Sequence, residues 1–146
     1  MLAAIRLRGQ ANVNSVIALT LDRLRLDRKH SCVLLPDSQV IRGMLAVANN
    51  WIAWGSVKKE TAKKLIFKRG KVGRVRVSEK VLSEKKINVD KVIDGLETGT
   101  GMRDSGLTPV FRLGPARGGF KSIKRHFPKG SLGKWPDLGV LLEKMM

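Results

Sequence analysis

His30–Gly55 reads HSCVLLPDSQVIRGMLAVANNWIAWG, and its two apolar runs with a helical pattern between them decide the architecture. HSCVLLP is a short apolar run containing Cys32 and closed by Pro36, the signature of a strand. Asp37 or Ser38 can cap a following helix, in which Ile41, Met44, Leu45 and Ala48 share one face. NWIAWG is a second strand, ended by Gly55. Working outward toward the N-terminus, LAAIRLRG gives a further strand, with Leu2, Ile5 and Leu7 set among Arg6 and Arg8 and a stop at Gly9. QANVNS is a polar loop offering Asn14 or Ser15 as an N-cap, and Ile17, Leu21 and Leu24 then fall at i, i+4 and i+7. Residues 1–55 thus predict an α+β fold, a small β-α-β-α-β sheet with two helices on one face.

Charge shows what such a sheet would meet. The 146 residues hold 29 Lys and Arg against 12 Asp and Glu, a net +17. Self-repulsion of that size is relieved by a polyanion, and nucleic acid is the commonest one. No apolar run approaches the ~20 residues of a membrane span, and MLAAIRLRG is interrupted too early by Arg6 and Arg8 for a signal peptide. A single cysteine excludes an internal disulfide and suits a reducing compartment. Residues 1–55 carry seven basic and three acidic side chains, residues 56–103 fourteen and six, and residues 104–146 eight and three. The first part is the most nearly neutral and is expected to hold the core, with residues 56–146 as an extension.

Within the extension, SVKKETAKKLIFKRG predicts a third helix capped by Ser56 and stopped by Gly70. KVGRVRVS is ambiguous, with a strand available at Val75 and Val77. EKVLSEKK and VDKVIDGL suggest two short helices broken near Asn88, which completes a helical stretch over residues 56–98. ETGTGMRDSG reads as a loop and TPVFRL as a strand. A basic, Gly-rich segment follows over residues 106–134, then a short C-terminal tail. Phe111–Lys134 alone holds seven basic residues, five glycines and no acid.

AIRLRG with NVNS, TLDRLRLDRKHSCVLLPD, IRGML, NWIAWG and FRLGPARGGFKSIKR together resemble the archaeal form of the L-thirty family of large-ribosomal-subunit proteins, whose eukaryotic members are called L-seven. The likeness runs from Ala4 to about Gly133 and is weakest over Lys71–Ser105. It implies a ferredoxin-like sheet with the first strand central. It also implies binding to large-subunit rRNA close to the 5S rRNA, beside neighbouring ribosomal proteins, and a place on the cytoplasmic ribosome.

Residue chemistry names the candidate contacts. Rigid RNA helices offer phosphates and ribose hydroxyls, Arg grips phosphate with a two-pronged fork, and glycine lets backbone amides approach closely. In GPARGGFKSIKR and the strand before it, Arg112, Arg117, Gly118, Gly119, Lys121, Lys124 and Arg125 fit this description. In isolation the same composition also reads as a disordered basic tail. Arg8, Asn12 and Asn14 lie between the first strand and first helix, and Arg25, Arg28, Lys29 and His30 between that helix and the second strand. Connections at opposite ends of one helix are not expected to form one tight pocket. Arg42 and Gly43 match the family's RGM element, and a mid-helix glycine costs ~1 kcal/mol that close packing or close approach must offset. The lysine run Lys58–Arg76 reads as a solvated helix face.

Catalysis finds no support. His30 and His126 are far apart, Cys32 reads as core, and the chain lacks metal-ligand, acid–base or nucleotide-loop spacings. No cofactor, metal or small-molecule substrate is expected. A transient ribosome assembly factor of the same fold, or a chromatin protein, would also suit the charge.

Overall fold

The structure, a computed structural model, describes residues 1–84, 87–99, 102 and 106–146. Five strands form the main sheet: β1 (Leu2–Arg6), β2 (Ser31–Leu35), β3 (Ile52–Ser56), β6 (Val110–Arg112) and β7 (Gly133–Trp135). Their spatial order is β6-β2-β1-β3-β7, so β1 is central as the resemblance implied. All pairings are antiparallel except β3 with β7. The helices α1 (Ser15–Arg23) and α2 (Gln39–Val47) link the first three strands, giving the α+β architecture expected for residues 1–55.

The caps follow from the local sequence. Asn14 accepts from the Val16 amide at the start of α1, and Ser38 accepts from Ile41 at the start of α2. Each satisfies an amide that the helix itself leaves free. One expected cap is corrected. Helix α3 runs Lys59–Arg69 with no side-chain cap, because Ser56 is still the last residue of β3 and donates its hydroxyl to the Pro136 carbonyl.

Side chains alternate along β1 and divide the core in two. Leu2 and Ala4 join Val33, Ile52 and Trp54 under Leu21, Leu24, Leu45 and Ala48 of the α1–α2 layer. Ala3, Ile5 and Leu7 join Cys32, Leu34 and Ala53 on the other face. The extension covers that second face with Leu65 and Ile66 of α3, with Ile93 and Leu96 of α5 (Val89–Thr98), and with Leu141, Leu142 and Met145 of α6 (Gly139–Met145). Between α3 and α5 lie a hairpin, β4 (Lys71–Val72) and β5 (Val75–Arg76), and the short helix α4 (Glu79–Glu84). The ambiguous KVGRVRVS is therefore a two-stranded ribbon, and TPVFRL supplies β6. Asn88 caps α5, where the break between two helices was expected. Lys85, Lys86, Thr100, Gly101 and Arg103–Ser105, which include the end of EKVLSEKK, the first of the two short helices expected, and parts of the expected loop, lie outside the described residues. β7 spans the junction of the Gly-rich segment and the C-terminal tail, and the tail, assigned no element from sequence, forms helix α6.

Candidate nucleic-acid interface

Strand directions bring most of the candidate residues to one end of the sheet. β1 ends there at Arg6, which pairs with Ile52 at the start of β3. β2 begins there at Ser31, opposite Arg112 at the end of β6. Parallel β7 also starts there, with Gly133 opposite Ala53. The β1–α1 loop, the α1–β2 loop, the α2–β3 loop and the segment after β6 therefore share one edge.

Arg6 is the tie. It lies on the Leu2–Ala4 face of β1 and is only 3% exposed. Its guanidinium donates to the carbonyls of Arg8 (2.9 Å), Gly9 (2.9 Å), Leu26 (2.6 Å) and Asp27 (3.0 Å). Burial pulls its pKa down from the ordinary arginine value, with partial relief from Asp27. Gln10 adds a bond to the Asp27 carbonyl at 2.8 Å. The two connections are thus joined, and Arg6, Gln10, Val13, Ala18, Asp22 and Asp27 line a single cleft of about 320 Å³. This corrects the expectation that they stand apart: antiparallel β1 and β2 put the end of one beside the start of the other.

On this frame the cations point outward. Arg8 lies over the Trp51 ring at 4.6 Å and donates to the Asn50 carbonyl. Arg28 and Lys29 are exposed, and among the described residues neither has an ion-pair partner. Arg25 terminates α1 in a Schellman motif: the Leu26 amide bonds the Leu21 carbonyl and the Arg25 amide bonds that of Asp22. The motif places Arg25 at φ 58°, in the left-handed region where glycine is the usual residue. Asn12 (φ 57°) and His30 (φ 64°) share that conformation. The His30 ring packs beside Phe120, tilted by 36° with centroids 6.0 Å apart, and its Nε2 is buried without a partner among the described residues. Burial, followed by the charge of Lys29, lowers its pKa. Asn14 contributes mainly as the cap of α1.

The Gly-rich segment is folded against the chain itself. Phe111, Leu113 and Ala116 are buried, and the amides of Gly114 and Arg117 bond the carbonyls of Met145 and Lys144. Gly118 and Gly119 take successive positive φ values of 78° and 76°, a turn that side-chain-bearing residues resist. Further on, the His126 ring meets Asn50 Oδ1 at 2.7 Å and Asn49 Nδ2 at 3.4 Å, pinning this segment to the α2–β3 loop. Arg112, Arg117, Lys121, Lys124 and Arg125 remain exposed, with no ion pair among the described residues.

Arg42 and Gly43 stand apart from this edge. Arg42 Nε and Nη2 grip Asp37 at 2.6 and 2.7 Å, which holds the carboxyl below its ordinary range. A Cβ on Gly43 would meet nothing within 4 Å, so packing inside the chain does not offset its helix cost. The lysine face of α3 is largely paired: Lys59 with Asp94 and Glu97, Lys63 with Asp90, and Lys64 with Glu143. Sequence reasoning missed Arg6 and the Asn49–Asn50–His126 clasp. Arg6 was findable, since an arginine in register with Leu2 and Ala4 on a buried face must serve internal acceptors. Among the described residues no group of three or more His, Cys, Asp or Glu could hold a metal, and no helix is long and apolar enough to cross a membrane.

The fold is a five-stranded α+β sandwich with arginines that have no ion pair among the described residues gathered at one end of its sheet. Residues 2–52 match the family model described as Ribosomal protein L30p/L7e. Curated relatives named "Large ribosomal subunit protein uL30" align along the whole chain. That of Methanosphaera stadtmanae is 38% identical, covering 100% of both chains. That of Archaeoglobus fulgidus is 36% identical over 99% of each, and that of Pyrobaculum aerophilum 34% identical over 99% of this chain and 93% of its own. The chain belongs to the L30p/L7e family of ribosomal proteins, in its archaeal form, and the family is structural and non-enzymatic.

Proposed function

We propose that this chain is a resident protein of the large ribosomal subunit. In this reading it holds large-subunit rRNA, close to the 5S rRNA and beside neighbouring ribosomal proteins, through the cationic end of its sheet. The convergence of Arg8, Arg25, Arg28, Lys29, Arg112, Arg117, Lys121, Lys124 and Arg125 on one edge carries the reading. These side chains have no carboxylate partner among the described residues, and the frame beneath them is held by buried Arg6. Phosphates would supply the missing counter-charge. The exposed Gly118–Gly119 turn, without side-chain bulk, lets a phosphate approach the backbone closely as well.

The test is stoichiometry on purified large subunits after a high-salt wash, read by quantitative mass spectrometry. About one copy on mature subunits is expected, and the variant Arg8→Gln/Arg25→Gln/Arg28→Gln is expected to wash off at lower salt. Presence on precursor particles alone would replace residency with a transient assembly role.

A further inference from the structure

We propose that the β4–β5 hairpin, Lys71–Arg76, is a second RNA-backbone contact, separate from the cationic edge; the proposal rests on the rRNA-binding reading above. Charge on this part of the molecule is unevenly neutralised. The acids of α5 and α6 pair with Lys59, Lys63 and Lys64 along α3. Past the end of that helix the pairing stops: Lys71, Arg74 and Arg76 are all exposed and have no ion pair among the described residues.

The hairpin's own geometry sharpens the point. Lys71 and Arg76 are directly opposite one another across the ribbon. Like charges in that position destabilise a two-stranded ribbon, which is marginal even without them. Val75 adds an exposed apolar side chain, 57% accessible, next to the turn at Gly73 (φ 62°). The base is nevertheless firmly rooted. Val72 and Val77 are buried, the Val77 amide bonds the Gly70 carbonyl, and the Thr108 amide bonds the Lys71 carbonyl. A rigidly rooted ribbon whose three cations have no ion pair among the described residues, two of them facing each other, would be completed by an external row of anions. Phosphates along an RNA strand have that form. Residues 71–76 hold no aromatic side chain on which a base could stack, so the contact is assigned to the phosphate backbone.

Position makes it a separate site. Val110 pairs with Val33, so Thr108, two residues before β6, lies toward the end of the sheet opposite Arg6 and His30. The chain would then be held by RNA at both ends of its sheet, with Lys71 marking the far one.

The experiment uses the full chain and deproteinised large-subunit rRNA, with affinity measured against potassium chloride concentration. Two variants are compared with the unmodified protein: Lys71→Gln/Arg74→Gln/Arg76→Gln, and Lys71→Glu alone. The triple variant should bind about tenfold or more weakly near physiological salt, with a salt slope shallower by about 2 to 3. Lys71→Glu separates binding from folding. It turns the repelling pair into an attracting one, so its Tm should hold or rise while its affinity falls. Unchanged affinity and slope in both variants, with Arg8→Gln/Arg25→Gln/Arg28→Gln still weakening binding, would overturn the hairpin contact and leave the edge standing. Normal rRNA affinity with lost incorporation into subunits would overturn it in favour of an acidic protein partner. An unmodified chain that prefers rRNA no more than an unrelated RNA would overturn both readings.

Discussion

The two faces of the central sheet are covered in different ways. One face is closed by α1 and α2, from the same 55 residues that supply β1, β2 and β3. The other is closed by pieces from Val57 to Met145, joined to Ala3, Ile5, Leu7, Cys32 and Leu34. Alternation explains why both covers are needed. Strands buried on both sides read as continuous apolar runs, and AAI in β1 and CVLL in β2 are such runs. Without the extension, Ile5, Leu7 and Leu34 would face water. Residues 1–55 are therefore half of a core, although they hold a complete topological motif.

The comparison breaks most visibly at α6. Removing Gly139–Met146 strips Leu141, Leu142 and Met145 from the second face, and we expect loss of the cooperative urea transition. A gentler form is Leu142→Ala set against Leu45→Ala, two fully buried leucines on opposite faces. Both should cost about 2–5 kcal/mol, the usual range for a leucine truncated in a packed core. A cost below about 1 kcal/mol at Leu142 alone would make α6 a dispensable tail, since it would then fall well outside that range.

Arg6 sharpens the comparison from the first face, where it is the one buried charge among the described residues. Arg6→Met keeps the bulk but leaves the carbonyls of Arg8, Gly9, Leu26 and Asp27 without their donor. We expect a loss of about 3 kcal/mol in urea unfolding, from a buried charged hydrogen-bond set broken on one side. Binding to rRNA should weaken as well, because the loops that carry Arg8 and Arg25 lose their shared anchor. An intact transition midpoint would mean that the two loops are held together by something else.

What could be read from sequence follows the same division. The α1–α2 face was legible because its elements are contiguous, their periodicities clean, and their caps Asn14 and Ser38 of the strongly capping type. β7 and α6 were not read, because a three-residue strand in a basic, glycine-rich stretch has no periodicity to count. In LGVLLEKMM, Leu138, Leu141, Leu142 and Met145 fall at helical spacing, but over two turns at the end of the chain that pattern is too short to tell a docked helix from a fraying tail. Ser56 misled for a physical reason: a serine before a lysine-rich run resembles a cap, while β3 needed one more residue. At the candidate site, residue types identified most of the cations. Arg6 turns its guanidinium onto carbonyls 20 and 21 residues along the chain, which no local pattern shows, whereas Arg42 pairs with Asp37 only five residues before it, within reach of a local reading.

Arg25 gives a smaller effect with two signs. Its left-handed backbone costs a side-chain-bearing residue roughly 1 kcal/mol or more, which glycine avoids. Arg25→Gly should therefore stabilise the free protein by up to about 1 kcal/mol, partly offset by the freer unfolded chain. The same change should reduce rRNA affinity and shorten the salt slope by about 1, one phosphate contact's worth. Those two outcomes together would explain an arginine at a strained position by what it grips. Stabilisation with unchanged affinity would place Arg25 outside the interface.

The smallest effect is expected at His30, where the edge and the second face meet through Phe120. Burial, then Lys29, holds the folded-state pKa of His30 below its ordinary 6.5. Above that value both folded and unfolded chains keep the ring neutral, and the full stability is present. As pH falls below it, the unfolded chain takes up the proton first, so stability drops until the folded value is passed. Urea midpoints at pH 7.5 and 5.5 should differ in that direction. His30→Asn, which tolerates the left-handed backbone, should remove the His30 contribution to that difference. An unchanged pH response in His30→Asn would mean that the ring takes up its proton alike in the folded and unfolded chains, and that Phe120 beside it does not exclude the proton.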